Sequence, residues 1–215
     1  MKENWATTLS VFREEGMLVY ENSASKEPIA YFWGSLHSTD SILEVRHNDR
    51  NQGIGRVMLN HLMSKAVEEG HGLLRVHCAT VSSVNFFWAM GFQLEQGLYP
   101  AEHVLATKVL TIPRRLPVSG KSAEVIVRFF SQSASYDKIL PPLAVYRPVA
   151  KRTRAGRIWL AEKIACFDPQ GSDHLMIELI VDGRPIYSGK ATSLAAALHG
   201  VTKCENGYAI EKITP

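Results

Sequence analysis

The segment that most constrains this chain runs Ser41-Ile-Leu-Glu-Val-Arg-His-Asn-Asp-Arg50-Asn-Gln-Gly53-Ile-Gly55-Arg56. Ser41–His47 has strand character and is followed by a polar turn and two closely spaced glycines. From Ile54 the pattern changes: Ile54, Met58, Leu62 and Ala66 recur every four residues, with Leu59, Met63 and Val67 beside them. That is one apolar stripe on a helix, and Gly70 stops it where a left-handed residue is needed. A strand delivered through glycines into a helix start leaves the first-turn amides without partners, and the helix dipole there favours an anion. The glycines let a ligand approach the main chain closely. The segment therefore predicts a phosphate cradle made of backbone.

The surrounding pattern predicts how this cradle is framed. Residues 5–15 read as a short amphipathic helix through Trp5, Leu9 and Phe12. Met17–Tyr20 and Ile29–Trp33 read as a strand pair around a polar turn, Leu73–Cys78 as a strand, Val81–Met90 as a helix ended by Gly91, and Val104–Ile112 as a strand. This alternation implies an α/β domain with crossovers long enough for parallel neighbours. Pro113, Pro117 and Gly120 mark a linker over 113–120. Beyond it, Val125–Phe130, Arg157–Ala165, Leu175–Val181 and Pro185–Tyr187 read as strands. Asp182-Gly183 is a hairpin turn signal, and Ser193–Leu198 a short helix ended by Gly200. The expected organisation is an α/β domain over 1–112, a linker, and a smaller, β-rich α+β domain over 121–215.

Which phosphate the loop suits is decided by elimination and by resemblance. A nucleotide P-loop needs Lys and then Ser/Thr after its last glycine, and Arg56-Val57 fails that test. A dinucleotide fingerprint needs a third glycine where Met58 stands. The pattern Arg50-x-x-Gly53-x-Gly55 resembles the pyrophosphate loop of the GNAT superfamily of acetyl-CoA-dependent N-acyltransferases. Asn85-Phe-Phe-Trp-Ala-Met-Gly91-Phe92 resembles the helix-to-strand segment of the same family. The resemblance covers roughly residues 1–112.

The resemblance implies a mixed sheet with flanking helices, acetyl-CoA as co-substrate, and direct attack by an acceptor amine. It implies that Arg50 and the loop Gln52, Gly53, Ile54, Gly55 and Arg56 hold the pyrophosphate. Val45 matches the strand position whose amide meets the thioester carbonyl. The family's usual tyrosine acid is replaced by Phe87, and Thr80 stands where asparagine is common. The strand positions that usually carry the base are Thr39 and Ser41, neither of which is basic. Asp40, Glu44 and His77 are therefore the candidate catalytic groups, Asp40 and Glu44 on the opposite face of an ideal strand unless a bulge intervenes. A free amine titrates near 10, so one of them has a proton to remove.

Charge points elsewhere as well. Residues 1–112 carry 9 Lys/Arg against 12 Asp/Glu, whereas residues 113–157 carry 10 against 2. The cluster Arg147, Lys151, Arg152, Arg154 and Arg157 reads as a solvated basic loop, as a clamp for the coenzyme's 3′-phosphate or an acidic acceptor, or as a nucleic-acid contact over 147–157. Tyr146 and Trp159 lie beside it, and the strand pattern places Trp159 in the core. Two alternative functions follow: a coenzyme sensor without catalysis, and a nucleic-acid- or ribosome-directed protein. Cys78, Cys166 and Cys204 match neither a disulfide framework nor a metal motif. With no basic-to-apolar leader and no 18-residue apolar run, the expected setting is the cytoplasm, without membrane contact. A homodimer is compatible with these features, and the acceptor is open among small-molecule and protein amines.

Overall fold

The computed structural model describes residues 17–34, 41–94, 104–131, 141–168, 175–204 and 207–215. The expected helix at 5–15 and the candidate Asp40 lie outside these residues. The fold is sheet-rich with few helices. Strands β1 (Met17–Glu21), β2 (Pro28–Trp33) and β3 (Ile42–Val45) form one antiparallel sheet. Helix α1 (Ile54–Glu69) follows, then β4 (Leu73–Cys78), α2 (Val81–Ala89), β5 (Gln93–Leu94) and β6 (Val104–Val109). These strands form a second antiparallel sheet in the order β4-β6-β5.

Helix α1 buries the predicted stripe: Ile54, Met58, Leu59, Leu62 and Ala66 are its buried residues. They join Ile29, Ala30, Phe32, Leu74, Val76, Phe87 and Phe92 in one core shared by both sheets. Leu59 and Leu74 are fully buried, so truncating either to alanine costs about 2–5 kcal/mol. Gly70 ends the helix with φ 87°, as its sequence position predicts.

The parallel neighbours anticipated around α1 are not formed. Every ladder among the described residues is antiparallel, and β3 and β4 share none. The crossover is long enough for parallel pairing, but the two strands frame a cleft instead of bonding to each other.

The expected strand Val104–Ile112 is broken at Leu110. The Leu110 amide donates to the Gly72 carbonyl, and the chain re-forms as β7 (Ile112–Pro113) on β12 (Ile158–Cys166). The first residue of the expected linker is thus already strand-paired, and the Arg114 amide donates to the Ala161 carbonyl.

The second half packs two antiparallel sheets around one core. The first is ordered β10-β9-β13-β14, from β10 (Ala144–Tyr146), β9 (Val125–Ser131), β13 (Leu175–Val181) and β14 (Arg184–Lys190). The other is ordered β15-β16-β12-β11-β8, with β15 (Val201–Cys204), β16 (Gly207–Ile213), β11 (Ala150–Arg152), β8 (Lys121–Ala123) and β7 attached to β12. Strands β9 and β13 read buried at every second residue, and those residues meet Ile158, Leu160, Ile164 and Ile210 from the facing sheet. This is the two-sheet solution to hiding one apolar face per sheet. Asp182 and Gly183 both have positive φ, 48° and 75°, the signature of a tight two-residue hairpin between β13 and β14. The short helix α3 (Leu194–Leu198) is capped by the Ser193 hydroxyl.

A third small core joins the halves: Leu73 from β4 packs with Ala165, Phe167 and Ala209. Lys163 Nζ donates to the Gly70 carbonyl at 3.2 Å across the same junction. A Cβ on Gly207 would overlap the Cys166 carbonyl oxygen and approach Leu73 Cδ1 to 2.8 Å. Only glycine allows this approach.

Candidate functional site

Between β3 and β4 lies a cleft of about 660 Å³, inside the range of small-molecule sites. It is walled by β3 on one side and by Val76 and His77 of β4 on the other, and closed by the starts of α1 and α2.

Two backbone surfaces turn toward it unsatisfied. The first is the start of α1. Its first internal hydrogen bond runs from the Val57 amide to the Gly53 carbonyl, so the amides of Ile54, Gly55 and Arg56 have no partner within the helix. Gly53 occupies the N-cap in the left-handed region, φ 83°, and supplies no side-chain cap; no acidic residue sits in the first turn. The start of α2 is built the opposite way. There Thr80 and Ser83 form a complete capping box, with Ser83 N to Thr80 Oγ1 at 3.1 Å and Thr80 N to Ser83 Oγ at 3.0 Å. One helix satisfies its own donors and the other leaves them for something else.

The second surface is the free edge of β3. The Arg46 amide donates to the Ile29 carbonyl, which makes 46/29 a hydrogen-bonded pair. Antiparallel pairs alternate, so Val45 opposite Ala30 and Leu43 opposite Phe32 are non-bonded pairs whose N–H groups point away from β2. They point toward the side on which β3 has no neighbouring strand among the described residues. The Val45 carbonyl on this edge is already taken, accepting from Arg50 Nε at 3.0 Å.

The side chains of the expected site divide into groups. Val45, Arg50, Gly53, Ile54, Gly55, Arg56, Phe87, Glu44 and His77 all line the cleft. Gln52 does not: its side chain turns back to the Asn48 carbonyl at 3.5 Å. Arg50 points its Nε into β3 instead of along the helix start, and its Nη2 stands 3.8 Å from Glu44 Oε1. The other Glu44 oxygen accepts from Tyr31 Oη at 3.1 Å, so both carboxylate oxygens of Glu44 have partners. Burial, reinforced by the Glu44 charge and hydrogen bond, pushes the Tyr31 phenol up to about 12. His77 is exposed on β4 at the cleft wall, not in the core.

Phe87 is buried and stacks edge-on against Phe86 and Phe92, 5.1 and 5.2 Å between centroids. It gives the cleft an apolar floor with no proton to donate. Phe86, which the sequence reading passed over, lines the cleft with it. A Cβ on Gly55 would sit 3.5 Å from the Phe86 ring and 3.7 Å from Val45 Cγ2, an ordinary contact. The absent side chain at 55 therefore keeps the floor open without relieving strain.

No family model matches the sequence, and no curated protein does either. Among solved structures, the chain is similar to Ard1 from Thermoplasma volcanium, with 18% identity, TM-score 0.39, and 49% of this chain aligned to 78% of that one. It is also similar to a ribosomal-protein-alanine N-acetyltransferase from Brucella melitensis, with 22% identity, TM-score 0.35, and 50% aligned to 78%.

Every residue lining the cleft falls between Phe32 and Phe87. The second half meets β4 at Leu73, whereas the cleft takes Val76 and His77 from the other end of that strand. Among the described residues there is no group of three or more metal-ligating side chains, and no helix is long and apolar enough to cross a membrane.

Proposed function

We propose that this chain is an acetyl-CoA-dependent N-acetyltransferase whose coenzyme site is the cleft between β3 and β4. The observation that carries the reading is the convergence of an uncapped helix start and an unpaired strand edge on one cleft. A pyrophosphate needs fixed donors and a favourable dipole, which Ile54, Gly55 and Arg56 supply through their amides, with the Arg56 side chain adding charge. An extended chain bearing amide groups needs a strand edge, which Leu43 and Val45 supply. The resemblance of Arg50-x-x-Gly53-x-Gly55 to the GNAT loop names a ligand that has both parts. Acetyl-CoA supplies the activated acyl group there.

The residues of this chain then divide the work. The Val45 amide donates to the carbonyl oxygen on which charge builds during acyl transfer. His77, exposed on the opposite wall, takes the proton of the acceptor amine. Glu44 serves as an anchor, because its two oxygens hold Tyr31 and Arg50. The acceptor is a primary amine, small or protein-borne. Residues 1–112 perform this role as the coenzyme-binding unit.

A second reading has an observation of its own. Phe87 offers no acid to the departing thiolate, which favours a domain that binds the coenzyme as a sensor. The decisive experiment is calorimetric titration with acetyl-CoA of the native chain and of a Gly53→Val/Gly55→Val variant, followed by coenzyme release across an amine panel. Micromolar binding lost in the variant supports the site, and release with an amine supports the enzyme over the sensor. Equal binding by both proteins removes the loop from the site and with it this proposal.

A further inference from the structure

The outer face of the six-stranded sheet carries a feature unrelated to the cleft. Its inner face is set by Ala123, Ala150, Leu160 and Ile213, all buried in the sandwich core. Side chains alternate along a strand, so the residues between these point outward. Register aligns four of them in one row across the sheet: Ser122 opposite Lys151, Lys151 opposite Trp159, and Trp159 opposite Lys212. Ser122 and Lys212 are exposed; Lys151 and Trp159 are partly exposed. Arg157 stands two residues before Trp159 and hence on the same side, exposed, where its carbonyl closes the β11–β12 turn by accepting from the Thr153 amide at 2.8 Å. Arg154 is exposed in that turn.

The sequence pattern placed Trp159 in the core, and the structure turns it outward. A core indole would have had to share a face with Ile158 or Leu160, its buried chain neighbours. Arg152, by contrast, leaves the basic cluster altogether. It reaches over the sandwich edge to Asp182 at 2.6 Å, so it ties the two sheets together. The Lys151 ammonium donates to the Pro117 carbonyl at 3.3 Å, in the segment that leads into β8. Glu211, beside Lys212 in β16, is paired with Arg114 at 2.8 Å.

We propose that this face binds single-stranded nucleic acid, with a base stacked on Trp159 and the backbone neutralised by Lys151, Arg157 and Lys212. A sheet face with an aromatic flanked by cations suits an unstacked strand, since every base has a face to stack and every phosphate a charge to meet. A duplex keeps its bases inside and offers the indole nothing.

The test uses the full chain and a fluorescein-labelled oligouridylate of about 16 nucleotides, read by anisotropy between about 50 and 200 mM salt. Removing three phosphate contacts in Lys151→Ala/Arg157→Ala/Lys212→Ala should flatten the slope of log affinity against log salt by about two. Trp159→Leu should weaken binding about tenfold with the slope unchanged, and Trp159→Phe should restore it to within about threefold. Thermal melts followed by circular dichroism check that each variant folds; the charge variant alters only outward side chains and keeps the proposal testable if Trp159→Leu does not. Absent binding by the native chain, equal binding of a blunt duplex, or affinity indifferent to Trp159 would each overturn it.

Discussion

Arg50 closes on Val45 five residues behind it, its Nε 3.0 Å from the Val45 carbonyl oxygen. That bond occupies the outward carbonyl of the last β3 residue and fixes the plane of the peptide that follows. The neighbouring Val45 amide then points off the edge of β3 opposite β2, where the described residues place no further strand.

On the proposed function this contact makes Arg50 a positioning residue, a role that separates kcat from KM. Lysine keeps the charge but lacks the planar fork that spans Val45 and Glu44 together. In Arg50→Lys, kcat for acetyl transfer should fall about tenfold while the acetyl-CoA KM moves less than about threefold. A rise in KM with kcat preserved would make Arg50 a direct phosphate ligand instead.

The phenol of Tyr31 gives a pH signature. Its folded-state pKa, about 12, lies above the ordinary value of 10.0, chiefly through burial and then through Glu44. The protonated phenol is the form that folding favours, so its contribution is whole below pH 10 and fades as pH climbs toward 12. The melting temperature of the native protein should drop across that window, and Tyr31→Phe should drop less. Tyr146 is raised to about 12 by burial as well, so Tyr146→Phe is the companion control. Parallel curves for native and Tyr31→Phe protein would refute the assignment.

The thiols should react in a fixed order. Burial raises Cys78 to about 11 and, with the Asp168 charge adding to it, Cys166 to about 12. At pH 8 the Cys78 thiolate is then about a hundredfold scarcer than that of an ordinary thiol. Disulfide-exchange labelling of the native protein should show one fast phase, from the partly exposed Cys204, and Cys204→Ser should abolish it.

At Gly207 a methyl group has nowhere to go. The Gly207→Ala variant must push β16 off Cys166 or Leu73, at a cost of about 3 kcal/mol by the measure of overpacked cores. Urea unfolding reads this directly, and a change below about 1 kcal/mol would mean the strands yield easily.

Where one face of an element is buried, its sequence pattern was enough to read it. Helix α1 and its glycine stop, strands β4 and β13, and the Asp182-Gly183 hairpin stand where periodicity and turn chemistry place them. Strand β16 was missed because Tyr208, Ala209 and Ile210 are buried in succession. Tyr208 and Ile210 face the sandwich core, while Ala209 faces the junction with Leu73. A strand covered on both sides has no alternation to detect. In the site, the glycine loop was legible because helix starts follow local rules. The Arg50 contact was not, since it depends on where β3 ends in space. Trp159 was misplaced because a lone aromatic in a strand pattern does not reveal which face it takes.

The junction at Leu73 also sets an order of events during synthesis. Its apolar partners Ala165, Phe167 and Ala209 leave the ribosome roughly ten seconds after it, at about 5–20 residues per second. Until they arrive, the strand that carries His77 at one end has an uncovered leucine at the other. The nascent first half therefore passes through a stage in which a chaperone has something to hold.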